Sequence, residues 1–460
     1  MLALPGSQLA THANRYRVDG EVGRFQFETY DVRDDGGRVV VRSLDWLPKR
    51  TGKHWYQTIG FKELALIHGV LDRSYRKTDV AINLQRRQVV GGTPLRTLCD
   101  TAAAEGSAVL AALEQQTRQV LAEHRFGDEG QPTSEPESPA APSADEPSEP
   151  QEKPHPRPRF QTDKVLEAWT VVSEEMSRRG FTAEHIASAQ PRIENSSASD
   201  YESPEHTTNI SVDDVSVKKQ KPHRLHATPE ADQPPDDERK RVHTSVARIE
   251  HAGKGFTLIA ASLLAVLRFT LAFLLRNALR QCSLRFFVDG QRSLQDTIVS
   301  FFRWHVDVRL ILDWFHLVKK TKEVLSLAMK GRALRNEHAK SILRLLWYGL
   351  IDAAISHLRS IEPSQIKDPK QIAVLIGYLE RNRSWIPNYA LRAQLGLRNS
   401  SNPAERTNNL VASQRQKNNG MSWSATGSQA LSALTCVVLN NRTKTWLTEA
   451  KFYLSLDQVA

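Results

Sequence analysis

Acidic residues in the second half of the chain have the types and spacing of metal ligands. Asp213 and Asp214 lie within an alternating apolar–polar segment, Asp289 directly follows a short apolar segment, and Glu405 comes two residues after Pro403. Cleavage of a phosphodiester by two divalent ions requires several carboxylates that converge on metals about 3.5–4 Å apart. Mg²⁺ prefers such hard oxygen ligands and keeps part of its water shell, so two or three acids suffice. Each Asp alone is more often a turn residue after a strand, and only their combination indicates a cation site.

The elements that would position these acids follow one another as three strands and then alternating helices and strands. Residues 207–219 alternate apolar and polar side chains, which predicts a strand, and residues 243–261 predict a strand, a Gly-containing turn and a second strand. The next segments predict a helix, a strand, a helix and a strand, at 262–281, 284–290, 294–304 and 308–316. This order builds an RNase H-like α/β sheet, in which the first strand, the end of the fourth strand and a later helix each supply one carboxylate.

Helices dominate the chain from 317 to 388, and two more are predicted in the segment 400–441. Asn402 is a suitable N-cap and Pro403 a suitable first helical residue, which places Glu405 in the first turn of a helix that can face the sheet. Trp347 and Trp385 in the helical region are predicted to be buried.

Four motifs, in this order, resemble those of DDE transposases of bacterial insertion sequences. They are VDDVSVKKQK, FFVDG, ILDWFHLVKK and the block from SSNPAERTNN to GMSWSATGSQAL. The resemblance covers roughly residues 205–450 and is closest to the group that contains the Mutator and hAT elements. It implies an RNase H-like catalytic domain with an all-α insertion between the fifth strand and the glutamate-bearing helix. As the alternative to burial, it implies that Trp347 or Trp385 in this insertion stacks on a displaced base. It also implies a DNA transposase that binds transposon ends and catalyses metal-dependent strand cleavage and strand transfer.

The resemblance implies a role for each matching residue. Asp213, Asp289 and Glu405 match the catalytic and metal-binding acids, with Mg²⁺ or Mn²⁺ as the cofactor. We choose Asp289 over Asp313 as the second acid because it ends the strand that follows the first long helix. Asp313 and His316 match a signature of Asp or Cys, two residues and His, and would orient the site. The alternative for this pair is a strand-end Asp and a core His.

Basic residues predict contact with a polyanion. The net charge is +10, and residues 127–152 hold eight acids and no Lys or Arg, so the rest of the chain is more basic still. Candidate DNA contacts in the catalytic region are Lys319, Lys320, Arg415 and Lys417; those in the N-terminal half are Arg76, Lys77, Arg86, Arg87 and Arg96. Cations of this kind neutralise DNA phosphates, although a solvated helix face explains each of them equally well.

Composition divides the chain into five predicted regions. Residues 1–59 contain a β-hairpin around Asp34–Gly37, and residues 60–126 predict short helices that resemble a helix-turn-helix DNA-binding module or any small helical bundle. Nine of the 22 prolines fall in 127–158, which predicts a disordered acidic linker. A helical connector at 159–206 precedes the catalytic domain at 207–450, whose helical insertion spans 317–395.

The composition also argues against several classes of protein. Three cysteines without CxxC spacing argue against a cysteine-based zinc site and against a disulfide framework. The apolar stretch at 256–275 contains Arg268, which disfavours a membrane span. We therefore expect a cytoplasmic, nucleoid-associated protein without membrane contact. Its partners would be double-stranded DNA, as terminal inverted repeats and target, and a second copy or more of itself. The alternatives are an RNase H-like nuclease relic and a non-catalytic DNA-binding regulator.

Overall fold

The structure, a computed structural model, describes most of the chain in eleven stretches. They are residues 8–20, 23–43, 56–72, 77, 80, 95–133, 161–191, 201–220, 241–401, 416–417 and 422–456. Within these stretches the chain forms two β-sheets and a set of helices that cover the larger sheet. All structural statements below refer to them.

A four-stranded sheet occupies the N-terminal region. Its strands are β1 (Gln8–Gly20), β2 (Gly23–Arg33), β3 (Val39–Val41) and β4 (Tyr56–Gln57), in the order β3-β2-β1-β4. β2 and β3 form a hairpin at the predicted turn, where Gly37 N–H donates to the Asp34 carbonyl over 2.9 Å and Gly37 has a φ of 77°. The long strand β1 was not predicted from the sequence, because its apolar side chains are interrupted by basic and small polar ones.

A five-stranded sheet forms the centre of the molecule. Its strands are β5 (Thr207–Lys218), β6 (Arg241–His251), β7 (Lys254–Ala260), β8 (Ser283–Val288) and β9 (Val308–Leu312). The strand order is β7-β6-β5-β8-β9. β5, β6 and β7 run antiparallel as a meander, whereas β5, β8 and β9 run parallel. Parallel strands end in the same direction, so the residues directly after β8 and β9 lie beside the middle of the longer strand β5.

Three helices that come from distant parts of the sequence form a layer over this sheet. The apolar α5 (Leu263–Arg276) packs beside α2 (Leu95–Glu123), and α12 (Ala425–Leu439) packs on α2 in turn. Arg268 in α5 is paired with Glu114 at 3.1 Å and with Asp128 at 2.7 Å, which explains a cation within this apolar segment. Among the described helices, none is both long and apolar enough to cross a membrane.

The helix α2 differs from the short helices predicted for 60–126. It runs without a break for 29 residues, and α1 (Ile59–Leu71) packs against it. Gly106 permits the close approach of α12, since a Cβ at this position would lie 2.2 Å from the Ala430 carbonyl oxygen. The prediction that residues 60–126 form a separate module of short helices is therefore wrong for α2, which belongs to the helical layer of the central sheet. Most of the residues between α1 and α2 lie outside the described stretches.

The predicted helical insertion has a hydrophobic core of its own. Its helices are α7 (Trp314–Ala328), α8 (Arg332–Trp347), α9 (Ile351–Arg359), α10 (Pro369–Arg381) and α11 (Tyr389–Gln394). Trp347 lies between Trp314 and Tyr389, with ring centroids 4.9 and 6.1 Å away. The connector helices α3 (Thr162–Arg178) and α4 (Ala183–Ala189) pack on the insertion through a third cluster. The two remaining helices are α6 (Arg292–Phe301) and α13 (Thr443–Glu449).

The start of the predicted linker is packed against α6. Thr133 N–H donates to the Arg125 carbonyl over 2.8 Å, and Gln131 Nε2 donates to the Phe301 carbonyl over 2.9 Å. Gly130 lies against the Phe301 ring with a φ of +72°. The predicted linker boundary at 127 is therefore wrong, because the packed chain continues to Thr133. Residues 134–158 lie outside the described stretches.

Replacing Gly130 by Ala should destabilise this turn. The added Cβ would lie 2.3 Å from a Phe301 ring carbon, at a φ that L residues rarely adopt. We expect a loss of about 1–3 kcal/mol in the free energy of unfolding, measured by urea denaturation. Gly127→Ala is the matched control, since its Cβ would make ordinary contacts at 3.6 and 3.8 Å. Equal stabilities of the two variants would contradict the packed turn.

A buried charge network joins the connector, the central sheet and the insertion. Arg285 on β8 is 2 % exposed and lies 3.3 Å from Glu202 and 3.0 Å from Asp307, and Arg392 on α11 donates to Glu202 over 2.9 Å. Burial by itself would raise the pKa of Glu202, but Arg392 and Arg285 hold that pKa below its usual value. Burial lowers the pKa of Arg285 to about 10, which leaves the guanidinium charged at neutral pH.

Removing the Glu202 charge should deprive the buried Arg392 of its described ion-pair partner and leave the buried Arg285 with Asp307 alone. We expect Glu202→Gln to cost about 3–5 kcal/mol at neutral pH, whereas the exposed Glu205→Gln changes stability little. Because folding depresses the pKa of Glu202, its contribution is present above its unfolded pKa of about 4.3 and is lost as the pH falls through the folded value. Urea denaturation at decreasing pH should therefore show the wild type converging on the variant. A constant difference down to pH about 2 would contradict this assignment.

Candidate functional site

The parallel register aligns Asp213 with Asp289. Ser211 on β5 is paired with Phe287 on β8, and counting two residues further along each strand reaches these two aspartates. Adjacent strands lie about 4.8 Å apart, and residues two apart in a strand share a face. Continued by these two residues, the register sets the predicted carboxylates side by side and on one face, Asp213 within β5 and Asp289 directly after β8, although they are 76 residues apart in sequence.

The same register extends to Asp313. Val288 is paired with Leu312 on β9, so the next residues along the two strands are Asp289 and Asp313, and Asp313 N–H donates to the Val288 carbonyl over 2.9 Å. Three aspartates thus lie in a row, Asp213 within β5, Asp289 directly after β8 and Asp313 directly after β9.

Asp213 and Asp214 have different surroundings although they are neighbours in sequence. Asp213 is half-buried, and its Oδ1 accepts the backbone N–H of Asp214 over 2.8 Å. Asp214 is exposed and accepts a hydrogen bond from the Ser245 hydroxyl on β6. Because side chains alternate along a strand, only Asp213 shares the face of the aspartate row.

Asp289 is held by a turn immediately after β8. Its Oδ1 accepts the Gln291 backbone N–H over 2.8 Å, and its carbonyl accepts the Tyr378 hydroxyl over 3.3 Å. Gly290 has a φ of +90° and lies so close to the Tyr378 hydroxyl that a Cβ would be 2.6 Å from it. Burial raises the pKa of Tyr378, and the charges of Asp289 and Asp313 raise it further, so the hydroxyl stays protonated and able to donate.

Asp313 is almost completely buried and serves backbone groups with both of its oxygens. Its side chain is the N-cap of α7, where Oδ1 accepts the His316 N–H over 3.1 Å. Oδ2 accepts the backbone N–H of Ser401, a residue 88 positions away. The His316 ring is half-buried and packs edge-on against Phe315 at 5.7 Å. The hydrogen bond between Asp313 and the His316 N–H thus begins α7, and the second oxygen of Asp313 fixes the chain at Ser401.

Further bonds anchor the chain around Ser401. Trp314 N–H donates to the Asn399 carbonyl over 3.1 Å, and Asn399 Nδ2 donates to the Tyr389 carbonyl over 2.8 Å. Arg392, which also binds Glu202, donates to the Arg398 carbonyl over 3.0 Å. Glu405 follows four residues after Ser401 and lies outside the described stretches, as do Asn402 and Pro403.

The chain returns to the same sheet after the segment that contains Glu405. Trp423 N–H donates to the Lys218 carbonyl over 2.9 Å, and Gln220 N–H donates to the Trp423 carbonyl over 2.8 Å. Gln416 is buried against α12, where its side chain bonds to Ser428 and Ser432. Sequence analysis missed this polar contact, since a Gln within a basic run gives no signal of burial.

The predicted DNA-contacting residues are only partly described. Lys319 is exposed and Lys320 half-buried on α7, while Lys77 and Lys417 are exposed. Four predicted contacts lie outside the described stretches, namely Arg76, Arg86, Arg87 and Arg415. Arg96 lies in the first turn of α2, and its side chain is likewise outside them.

The donor set suits a hard divalent cation in its chemistry. In the described part of the chain, no group of three His, Cys, Asp or Glu side chains could hold a metal ion. Asp213 and Asp289 supply two carboxylates on one face, and Asp313 has both oxygens engaged by backbone N–H groups.

Comparison with known proteins identifies no family. No protein-family model matches the chain, and no curated protein matches its sequence.

Replacing Asp313 by Asn should destabilise the protein, unlike the same change at Asp289. An Asn side chain has one acceptor oxygen and one NH2 group, which cannot accept a hydrogen bond. Either the His316 N–H or the Ser401 N–H would therefore face the NH2 group and lose its acceptor. The lost buried bond should cost about 1–3 kcal/mol by urea denaturation. Asp289→Asn keeps an oxygen for the Gln291 N–H, and its stability should stay within about 0.5 kcal/mol of the wild type. Unchanged stability of Asp313→Asn would disprove the positioning role.

Proposed function

We propose that the protein is a DNA transposase of the DDE type, which cleaves DNA strands and transfers the released ends in a reaction that depends on divalent metal ions. The observation that carries the proposal is the parallel register of β5 and β8, which, continued two residues beyond the Ser211–Phe287 pair, sets Asp213 beside Asp289. No family match contributes to it.

The strand order supports an RNase H-like catalytic domain. Numbered along the domain, the order β7-β6-β5-β8-β9 is 3-2-1-4-5, with three antiparallel strands followed by two parallel ones. This is the sheet implied by the resemblance, with one acid on the first strand and one after the fourth. The helical insertion follows the fifth strand, in agreement with the same resemblance.

The surroundings of the two aspartates favour metal binding over a purely structural role. Both side chains are half-buried, and the contacts described for each carboxylate are to backbone N–H groups of the same turn or strand. A backbone N–H occupies one of about four acceptor sites of a carboxylate, so Asp289 is fixed in position and keeps acceptor capacity for a cation. Asp313 contrasts with them, because burial and two backbone bonds leave its oxygens committed.

The proposed mechanism assigns the chemistry to carboxylates and bound cations. Asp213, Asp289 and Glu405 would hold two Mg²⁺ or Mn²⁺ ions, which when bound stabilise the attacking and leaving oxygens of an in-line displacement. Water attacks the phosphodiester at the transposon end, and the released 3′-OH then attacks target DNA. Asp313 positions Ser401 and hence the start of the segment that bears Glu405. No side chain is required as a nucleophile in either step.

Positive charge beside the aspartate row supports binding to a DNA backbone. The chain from 314 to 347, which forms α7 and α8, contains eight Lys and Arg residues and two acids. Lys319 and Lys320 lie on α7 within two turns of Asp313. Each cation that binds a phosphate makes the affinity for DNA depend on salt. In a plot of the logarithm of the association constant against the logarithm of the salt concentration, each such contact steepens the negative slope by about 0.9 for duplex DNA.

Substitution of either aligned aspartate should abolish strand cleavage without unfolding the protein. We expect Asp213→Asn and Asp289→Asn, and likewise Glu405→Gln, to lower cleavage of DNA carrying the sequences that flank the coding region by more than about 100-fold. Mutation of a residue that only hydrogen-bonds to a metal ligand already lowers metal affinity or activity by about 10–100-fold, so the loss of a ligand itself should cost more. Asp214→Asn is the matched control and should keep its activity, because Asp214 is exposed and bound to Ser245.

Two measurements separate this proposal from its alternatives. Mn²⁺ binding, followed by electron paramagnetic resonance, should weaken in both Asn variants and remain unchanged in the Asp214 control. Pre-cleaved ends with a free 3′-OH, mixed with target plasmid, should yield joined products. Cleavage without joining would indicate a nuclease, and DNA binding that is indifferent to all three carboxylates and accompanied by no cleavage would indicate a regulator.

A further inference from the structure

Two histidines of the helical insertion face each other across neighbouring helices. His338 lies on α8 and His357 on α9, and His338 Nδ1 is 3.1 Å from His357 Nε2. Their ring centroids are 5.3 Å apart, and the ring planes are inclined by 58°. On the other side of the His338 ring, Nε2 is 3.0 Å from the side-chain oxygen of Gln365. We call His338 and His357 the histidine pair.

Gln365 determines which nitrogen of His338 carries the hydrogen. An amide oxygen accepts and cannot donate, so His338 Nε2–H donates to Gln365, and Nδ1 keeps a lone pair that faces His357. Gln365 is itself fixed by the backbone. Its carbonyl accepts the Lys330 N–H over 2.9 Å, and its N–H donates to the Glu362 carbonyl over 2.9 Å. The chain therefore holds one nitrogen of the histidine pair ready to bind a cation.

The distance between the two facing nitrogens suits joint binding of one metal ion. A Zn–N bond of about 2.0–2.1 Å sets two nitrogens on the same ion about 3.3–3.4 Å apart in a tetrahedral site. Neighbouring corners of a square-planar site, which Cu²⁺ prefers, are about 2.9 Å apart with bonds of similar length. The observed 3.1 Å lies between these values. The nitrogens need to move only slightly, while the rings turn so that both lone pairs converge.

The surroundings keep the histidine pair neutral and accessible. Both side chains are half-buried, so water can fill the other positions around an ion. Burial lowers the pKa of His357, and His338 lowers it further, so the ring is neutral at neutral pH and able to bind a cation. The negative charge of the exposed Glu337 acts on His357 in the opposite direction and favours a cation beside it.

We propose that the histidine pair binds one divalent ion of the class that prefers nitrogen ligands, Zn²⁺ or Cu²⁺. His338 Nδ1 and His357 Nε2 would be the two protein ligands. Gln365 would hold the far side of the His338 ring, as the partner of a metal-bound histidine commonly does. When the ion binds, the ring hydrogen of His357 moves from Nε2 to Nδ1 by exchange with water. Both facing nitrogens then have lone pairs, and the ring stays neutral.

Such an ion would join α8 to α9, which pack against α7 and α10 respectively. It would differ in kind from an ion at the aspartate row, because carboxylates select Mg²⁺ or Mn²⁺ and imidazoles select Zn²⁺ or Cu²⁺. The inference therefore goes beyond the proposed function and does not rest on it.

The test adds one equivalent of Cu²⁺ to full-length protein that has been freed of metal with EDTA and dialysed. Electron paramagnetic resonance should show splitting by two imidazole nitrogens. His338→Gln and His357→Gln should each remove this signature and weaken Zn²⁺ binding more than about 100-fold, measured by competition with a fluorescent chelator. Gln365→Leu keeps both ligands and should weaken Zn²⁺ binding at least about 10-fold. His124→Gln is the matched control, since His124 is exposed just after α2.

A second readout is stability, because an ion that binds the folded state alone stabilises it. Zn²⁺ should raise the unfolding temperature of the wild type and of His124→Gln, and leave that of the two other His variants unchanged. Urea denaturation in EDTA verifies that the variants fold, and Gln365→Leu provides the test if a His variant does not.

Three results would overturn the inference. They are unchanged Cu²⁺ spectra in His338→Gln and His357→Gln, unchanged Zn²⁺ affinity in Gln365→Leu, and an unfolding temperature of the wild type that Zn²⁺ does not raise. Asp213→Asn and Asp289→Asn should keep the Cu²⁺ signature. Its loss in these two variants would place the ion at the aspartates and would equally overturn the inference. Absence of DNA cleavage with an intact Cu²⁺ signature would contradict the proposed function alone.

Discussion

The buried carboxylate of Asp313 is the interaction on which the arrangement of the site depends. It ends β9, starts α7 and accepts the N–H of Ser401, so one side chain joins the sheet, the insertion and the chain that leads to Glu405. A charged acceptor for two backbone N–H groups gives strong, directional bonds in a buried environment. The insertion of about 80 residues between β9 and Ser401 can therefore vary in its packing without moving the point at which the chain rejoins the sheet.

A second constraint acts near the start of β8. The ion pairs among Glu202, Arg285 and Arg392 bind the connector to β8 and to α11, and Arg392 also holds the Arg398 carbonyl. Buried charges of this kind add little net stability compared with apolar packing, but they tolerate few alternative arrangements. The network and Asp313 together fix residues 398–401 from two directions.

The central sheet was predictable because its strands are rich in apolar residues and separated by clear turns. The alternation in β5 and the apolar segment of β8 placed Asp213 within a strand and Asp289 directly after one, and the register, continued by two residues, aligns them. β1 was missed because its apolar positions are interrupted by arginines, and the unbroken length of α2, which contains Gly106, was not predicted. Only the tertiary contact with Ala430 explains why that glycine lies within a helix. The two oxygens of Asp313 were equally inaccessible to prediction, since the partner Ser401 is set by the fold and not by sequence spacing.

The packing of α2 on α12 also has a consequence for synthesis of the protein. Gly106 meets Ala430 across more than 300 residues of intervening chain, so the part of α2 that α12 covers has no native partner until almost the entire protein has been made. At about 5–20 residues per second, this interval lasts on the order of 16–65 s. During that time the nascent chain exposes this part of α2 to chaperones and to other ribosomes on the same message. A gene copy truncated before α12 would leave the same surface uncovered permanently, so its product should be cleared or aggregate rather than persist as a competitor of the full-length protein.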